Sequence, residues 1–167
     1  MNTDESSLGS PGLAGGGGII RDEMGSFVVG FSRNIEVTSS FEAELWALRD
    51  GLTICVDKNF LAIEVKLVAK AIIDIILNPK QSNSIVSPLL DDCKQLASQI
   101  PRIHFKYCYR EVNRCADHLA RKGTKLIADF FFSFLFENLP VNLLSIFNFD
   151  LADLYLGKRC PTETLVV

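Results

Sequence analysis

Three acidic residues stand where chemistry rather than solubility could want them: Asp4, Glu44 and Asp117. Asp4 lies on the first β-type run, beside small residues. Glu44 falls in the opening turns of a long helix with an apolar stripe. Asp117 falls near the start of the last clear helix, within Arg110-Glu111-Val112-Asn113-Arg114-Cys115-Ala116-Asp117. They are far apart in sequence, but all fall near element ends, which a sheet can gather at one edge. Gathered carboxylates raise one another's pKa unless a counter-charge joins them. A hard divalent cation is the usual relief, and Mg²⁺ prefers oxygen ligands while keeping several waters. Two such ions about 4 Å apart support in-line attack of water on a phosphodiester. Read singly, each acid has an ordinary explanation. Asp4 could be a turn acid, and Glu44 and Asp117 could be acids favoured by a helix N-terminus.

Other residues offer binding rather than bond-breaking. Residues 100–125 hold seven basic side chains, Arg102, Lys106, Arg110, Arg114, Arg121, Lys122 and Lys125, against Glu111 and Asp117. Phosphate backbones require such a local basic face, although a solvated helix face reads the same way. Ser6 and Ser7 follow Asp4 and could donate to phosphate or to a sugar hydroxyl, or only to water. His104 reads as a strand residue facing solvent. His118, beside Asp117, reads as an exposed helix residue more readily than as a proton shuttle. Trp46 reads as packing surface. The run Gly15–Gly18 lacks the Gly-Lys-Ser/Thr ending of a phosphate loop.

These residues need elements to hold them. Residues 8–18 read as a tight glycine-rich loop feeding a strand. Gly15 to Arg21 and Ser26 to Arg33 form two β-type runs around Asp22-Glu23-Met24-Gly25, which is hairpin chemistry. Ser39-Ser40-Phe41-Glu42 fits a capping box, and Leu45, Leu48, Leu52 and Cys55 continue an apolar face to about Lys58. Residues 61–68 read as a strand and 69–77 as a short helix stopped by Asn78-Pro79. Ser87-Pro88 opens a helix striped by Leu89, Cys93, Leu96 and Ile100. Ile103, Phe105, Tyr107 and Tyr109 alternate as a half-buried strand, and Asn113 can cap a last helix ending before Gly123. An early meander followed by alternating elements implies α/β, a mixed sheet with helices on its faces. With only three residues before Asp4, the first strand is expected as a truncated stub.

The chain has 167 residues, 48% apolar and 22% charged, with net charge −3. That suits a globular chain and excludes a uniformly basic nucleic-acid coat. The five cysteines form no CxxC and read as buried thiols of a reducing compartment. Residues 1–124 are expected as one domain and 125–167 as a Phe-rich tail without clear period, docking on the domain or on a protein partner. The opening Met-Asn-Thr-Asp-Glu lacks a secretory pattern. The most apolar run, Leu126 to Phe136, is about half the ~20 residues a membrane helix needs. A soluble intracellular monomer is expected, with nucleus and cytoplasm undistinguished.

Four segments in order carry a resemblance. They are Asn2-Thr3-Asp4; the Gly15–Gly18 run into Ile19-Ile20-Arg21-Asp22; Ala43-Glu44-Leu45-Trp46-Ala47-Leu48 with Gly51-Leu52; and Arg110-Glu111-Val112-Asn113-Arg114 with Ala116-Asp117 and Leu119-Ala120. The chain over residues 1–123 resembles the plant RNase H-like domain of retroelement-derived, reverse-transcriptase-like proteins. The resemblance implies an RNase H-like fold, a mixed five-stranded sheet in the order 3-2-1-4-5 flanked by helices. It implies binding of RNA–DNA hybrid and hydrolysis of the RNA strand with two Mg²⁺ ions. It makes Asp4, Glu44 and Asp117 the catalytic, metal-binding acids and favours Arg110, Asn113 and Arg114 as contacts to nucleic acid, with Ser6, read from its place after Asp4, as a further candidate.

Three departures accompany it. Val68 stands where the family has its remaining aspartate, at the end of the fourth strand. Glu64 lies four residues back, roughly 13 Å along a strand and too far to substitute. Glu5 replaces the usual glycine after the first aspartate; it could crowd the site or supply a stray carboxylate, although neighbouring strand residues point to opposite faces. The third departure is the abbreviated first strand. The expected function is a nucleic-acid-binding domain descended from a hybrid endoribonuclease, with hydrolysis impaired by Val68. The alternatives are a catalytically inactive protein-interaction module and a decayed retroelement fragment.

Overall fold

The computed structural model describes residues 1–9, 12–78, 88–126, 134–155 and 165–166. Strands β1 (Asn2–Gly9), β2 (Gly12–Arg21) and β3 (Phe27–Thr38) form the meander. Helix α1 (Ser40–Asp57), strand β4 (Ala62–Leu67), helices α2 (Lys70–Leu77) and α3 (Pro88–Ser98), and strand β5 (Arg102–Tyr107) follow. A 3₁₀ turn (Arg110–Val112) leads into α4 (Arg114–Gly123). Beyond it come β6 (Phe134–Phe136), a second 3₁₀ turn (Val141–Leu143), α5 (Leu144–Tyr155) and β7 (Leu165–Val166). Among the described residues the sheet order is β6-β3-β2-β1-β4-β5-β7. The expected 3-2-1-4-5 order is therefore its centre, extended at both edges by antiparallel strands from the C-terminal segment.

The local chemistry acts largely as read. The Asp22 carboxylate accepts the N–H groups of Met24 and Ser26 at 2.9 and 2.8 Å, and Gly25 takes φ +82°, closing the β2–β3 hairpin. Ser39 and Glu42 form the reciprocal capping box of α1. Leu45, Leu48, Leu52 and Cys55 are fully buried along that helix. The proposed Ser87 cap lies outside the described residues.

Other expectations are corrected. The first strand is not a stub: β1 is eight residues long, all paired with β2. On its other side a single parallel pair, Asn2↔Lys66, joins it to β4. Residues 8–18 are not a loop feeding a strand; β1 runs to Gly9 and β2 starts at Gly12. The glycine run instead brings helices against the sheet. A Cβ at Gly17 would collide with Leu119 and Ala120 of α4, and one at Gly16 would press on Ala47 of α1.

Hydrophobic layers lie on both sides. Ile20, Phe31, Leu45, Leu52, Val65, Ile72, Cys93 and Phe105 belong to the core beneath α1, α2 and α3. Ile19, one residue from Ile20, joins Cys115, Leu119, Leu143 and Phe147 on the α4 side, as strand alternation requires. The Phe-rich segment, without clear period in sequence, contributes β6 on the β3 edge and α5 over α4. Asp150 of α5 is buried, accepting the Cys115 N–H at 2.9 Å with Arg21 and Arg114 at 3.4 and 3.5 Å. Four cysteines are buried free thiols, and Cys160 lies outside the described residues. Among the described residues no helix is long and apolar enough to cross a membrane.

Candidate functional site

The site sits where β1 parts from β4. Register with β2 puts Asp4 opposite Gly17 and Glu5 opposite Gly16, so Asp4 stands on the α4 side and Glu5 on the α1 side. Beyond Asn2, β1 has no β4 partner. The edge is open there, and carboxylates from both sides of the sheet meet. A cavity of about 260 Å³ is lined by Asp4, Glu5, Ser40, Phe41, Glu44, Val68, Ala69 and Arg110. A second one of about 530 Å³ is lined by Glu5, Ser6, Ser7, Ser40, Arg110, Asp117, Arg121, Thr124 and Lys125. Glu5, Ser40 and Arg110 are common to both, which makes them one groove.

Asp4 is fully buried. Its Oδ1 accepts the Glu5 N–H at 2.9 Å, and its Oδ2 accepts the Asn113 side-chain amide at 3.3 Å. Burial raises its pKa to about 7. The Arg110 guanidinium and the Glu5 N–H hold it back, while Asp117 and Glu5 add to it. Glu44 is 2% exposed and neither of its oxygens has a hydrogen-bond partner of bonding geometry. Burial first, then Asp4 and Glu5, push its pKa to about 8; the backbone at Ala69 and the charge of Arg110 relieve it only in part. Burial also raises Glu5, against the pull of the Ser7 hydroxyl and Arg110.

The structure brings Asp4, Glu44 and Val68 onto the wall of one cavity, with Asp117 on the adjoining wall. Asp117 is half-buried and held by Arg121 at 2.9 Å. Ser6 and Arg110 line the groove. Asn113 occupies the position before α4 but makes no side-chain cap. Its amide reaches β1, donating to the Thr3 carbonyl at 2.9 Å and to Asp4, while its Oδ1 accepts Asn2 at 3.0 Å. Arg114 lines neither part of the groove and faces Asp150 at 3.5 Å, because α5 packs over that side of α4.

The remaining basic side chains divide in the same way. Arg121 and Lys125 line the groove, whereas Lys106 pairs with Glu64, and Lys122 lies over the Phe136 ring at 4.3 Å. Glu64 lines a different cavity with Lys66. His118 contacts Asn142 at 3.4 Å, away from the groove. His104 is half-buried rather than facing solvent, and its Nδ1 has no hydrogen-bond partner. Trp46 packs between guanidinium groups, with Arg33 at 4.3 Å and Arg49 at 5.3 Å from the ring.

Glu5 is the groove residue that alternation argued against; only the open edge admits it. Ser40, Arg121 and Lys125 were legible merely as a helix start and as part of the basic run. The two-ion Mg²⁺ centre implied by the resemblance does not find its ligands. Among the described residues no group of three or more His, Cys, Asp or Glu is spaced to hold a metal ion. Val68 offers no oxygen, Arg121 engages Asp117, Asn113 engages Asp4, and Arg110 already stands 3.8 Å from Asp4.

Residues 2–123 match the family model described as reverse transcriptase-like. The chain is 33% identical over 130 residues to an Arabidopsis thaliana protein provisionally assigned as a ribonuclease H protein, covering 78% of this chain but only 21% of that relative. Among solved structures, RNase H1 from Halobacterium salinarum aligns with TM-score 0.66 at 22% identity, over 74% of this chain and 95% of that one. LC11-RNase H1, solved in complex with RNA/DNA hybrid, aligns with TM-score 0.63 at 25% identity, over 74% and 94%.

Proposed function

This chain belongs to the reverse transcriptase-like family, and on that premise we propose that its RNase H-like domain binds RNA–DNA hybrid through the groove at the β1 edge, with hydrolysis strongly impaired. The observation that carries the proposal is the shared cavity wall of Asp4, Glu44 and Val68, opening into a groove edged by Ser6, Ser7, Arg110, Arg121 and Lys125. The cationic side chains suit phosphates, and the serine hydroxyls suit 2′-hydroxyl and phosphate oxygens, which distinguish a hybrid by backbone rather than by base edges.

Impairment follows from Val68. A side chain without oxygen replaces an acid at the reacting edge, and each 1.36 kcal/mol of lost organisation is a tenfold loss of rate. The test is hybrid binding by gel shift, followed by hybrid cleavage by this chain beside Val68→Asp in Mg²⁺ or Mn²⁺. The expected result is salt-sensitive binding by both and greater cleavage by the variant. Equal and robust cleavage by both would show that Val68 is not the defect.

A second reading, a catalytically inactive protein-interaction module, is favoured by the exposed apolar side chains of the C-terminal segment, Val141 at 90% and Phe149 at 66% exposure. Absence of hybrid binding, or binding indifferent to salt, selects it.

A further inference from the structure

The edge that gathers these acids still needs positive charge, and the chain carries one there itself. We infer that Arg110 is the resident cation of this site, held between Asp4 and Glu5, and that the groove engages a phosphodiester backbone without a divalent ion. The inference about the cation stands on the geometry alone; the backbone it engages rests on the reading above.

Arg110 Nη2 lies 3.8 Å from Asp4 Oδ1 and 3.6 Å from Glu5 Oε1. One nitrogen thus sits at nearly equal reach of two carboxylates. The two departures at the site are complementary. Val68 removes a carboxylate from the wall at the end of β4, and Glu5 adds one on the wall shared with Arg110. Val68 and Glu5 line the same cavity, and the carboxylate there is within 3.6 Å of the guanidinium.

The other acids do not rebuild a chelate. Arg121 holds Asp117 at 2.9 Å on the adjoining wall, and Asn113 occupies Asp4 Oδ2. Glu44 faces the cavity with neither oxygen in a hydrogen bond of bonding geometry, which invites a cation, so the test must read it directly.

Arginine suits the double task. Its planar fork carries five N–H donors, and the side chain is 55% exposed, so groups not turned to the acids face the groove. The same guanidinium can neutralise Asp4 and Glu5 and donate to a phosphate.

The experiment titrates the full chain with MnCl₂ and with MgCl₂ alone by calorimetry, then measures hybrid affinity in EDTA and in Mg²⁺. No saturable binding of either ion is expected. Hybrid affinity should be the same in both buffers, and Arg110→Ala should lower it about tenfold in each, with Arg110→Lys in between. Saturable Mn²⁺ binding that Glu44→Gln or Asp4→Asn abolishes overturns the inference, as does hybrid affinity that collapses in EDTA or ignores Arg110→Ala. If the chain binds no hybrid in either buffer, the function proposed above fails, and the Mn²⁺ titration still decides whether Arg110 replaces the ion.

Discussion

The side-chain amide of Asn113 donates to the Asp4 carboxylate across 3.3 Å, tying the start of α4 to the central strand. The same amide bonds the Thr3 carbonyl, and its oxygen accepts Asn2. Asn113 is fully buried. Asn113→Ala removes a hydrogen-bond partner from Asn2, the Thr3 carbonyl and Asp4, and a buried polar group left unsatisfied costs about 1–3 kcal/mol. Urea denaturation should show a loss of about 2 kcal/mol or more, while an unchanged midpoint would mean that the bridge carries no stability.

The raised acids make stability depend on pH. Glu44 moves from 4.5 to about 8 and Asp4 from 3.8 to about 7, so over that range the native state binds protons that the unfolded chain has released. Their neutral forms cost nothing below the unfolded values. Above them, stability falls with rising pH and the full penalty is reached once pH passes the folded values. Melting temperature should therefore drop between about pH 5 and pH 8. Glu44→Gln should remove about half of that slope and raise the melting point at pH 8. A slope identical in the variant would place the titrating group elsewhere.

Asp150 anchors the C-terminal helix on the domain. Its carboxylate is 2% exposed and meets Arg21, itself 9% exposed, together with the Cys115 N–H and Arg114. Removing one partner of a buried ion pair strands the other, at about 3–5 kcal/mol. Asp150→Ala should lower the unfolding free energy by about that amount and open α5 to limited proteolysis. A proteolytic pattern like that of the unaltered chain would show that α5 is held by its apolar contacts alone.

Gly17 lets α4 lie directly on β2. A methyl there would collide with the backbone at Leu119 and Ala120. Gly17→Ala should destabilise by about 1–3 kcal/mol through overpacking and shift Asp117, carried by the same helix. Alanine tolerated with unchanged stability would show that the helix can ride away from the sheet.

Much of this was legible in the residues because it is local. The Ser39–Glu42 cap, the Asp22–Gly25 turn and the apolar stripe of α1 involve groups within a few positions of one another, where chain geometry decides the contact. The meeting of Asp4, Glu44 and Val68 was legible only through resemblance, since no spacing relates residues on three different elements. Glu5 does lie on the opposite face from Asp4, as strand alternation requires, and it reaches the same cavity only because β1 lacks a β4 partner beyond Asn2. The cap assigned to Asn113 failed because a buried strand offered its amide better partners than the helix end did.

Residue chemistry by itself set the alphabet of this protein: which segments become strand or helix, where they turn, and which side chains carry charge. Tertiary packing alone decided that β1 leaves β4 after Asn2, that Glu5 turns into the groove beside Arg110, and that Arg114 turns away to Asp150. The physical reason is that these outcomes depend on which edges stay open and which charges are buried together. Both are properties of assembled elements and have no expression in any one of them.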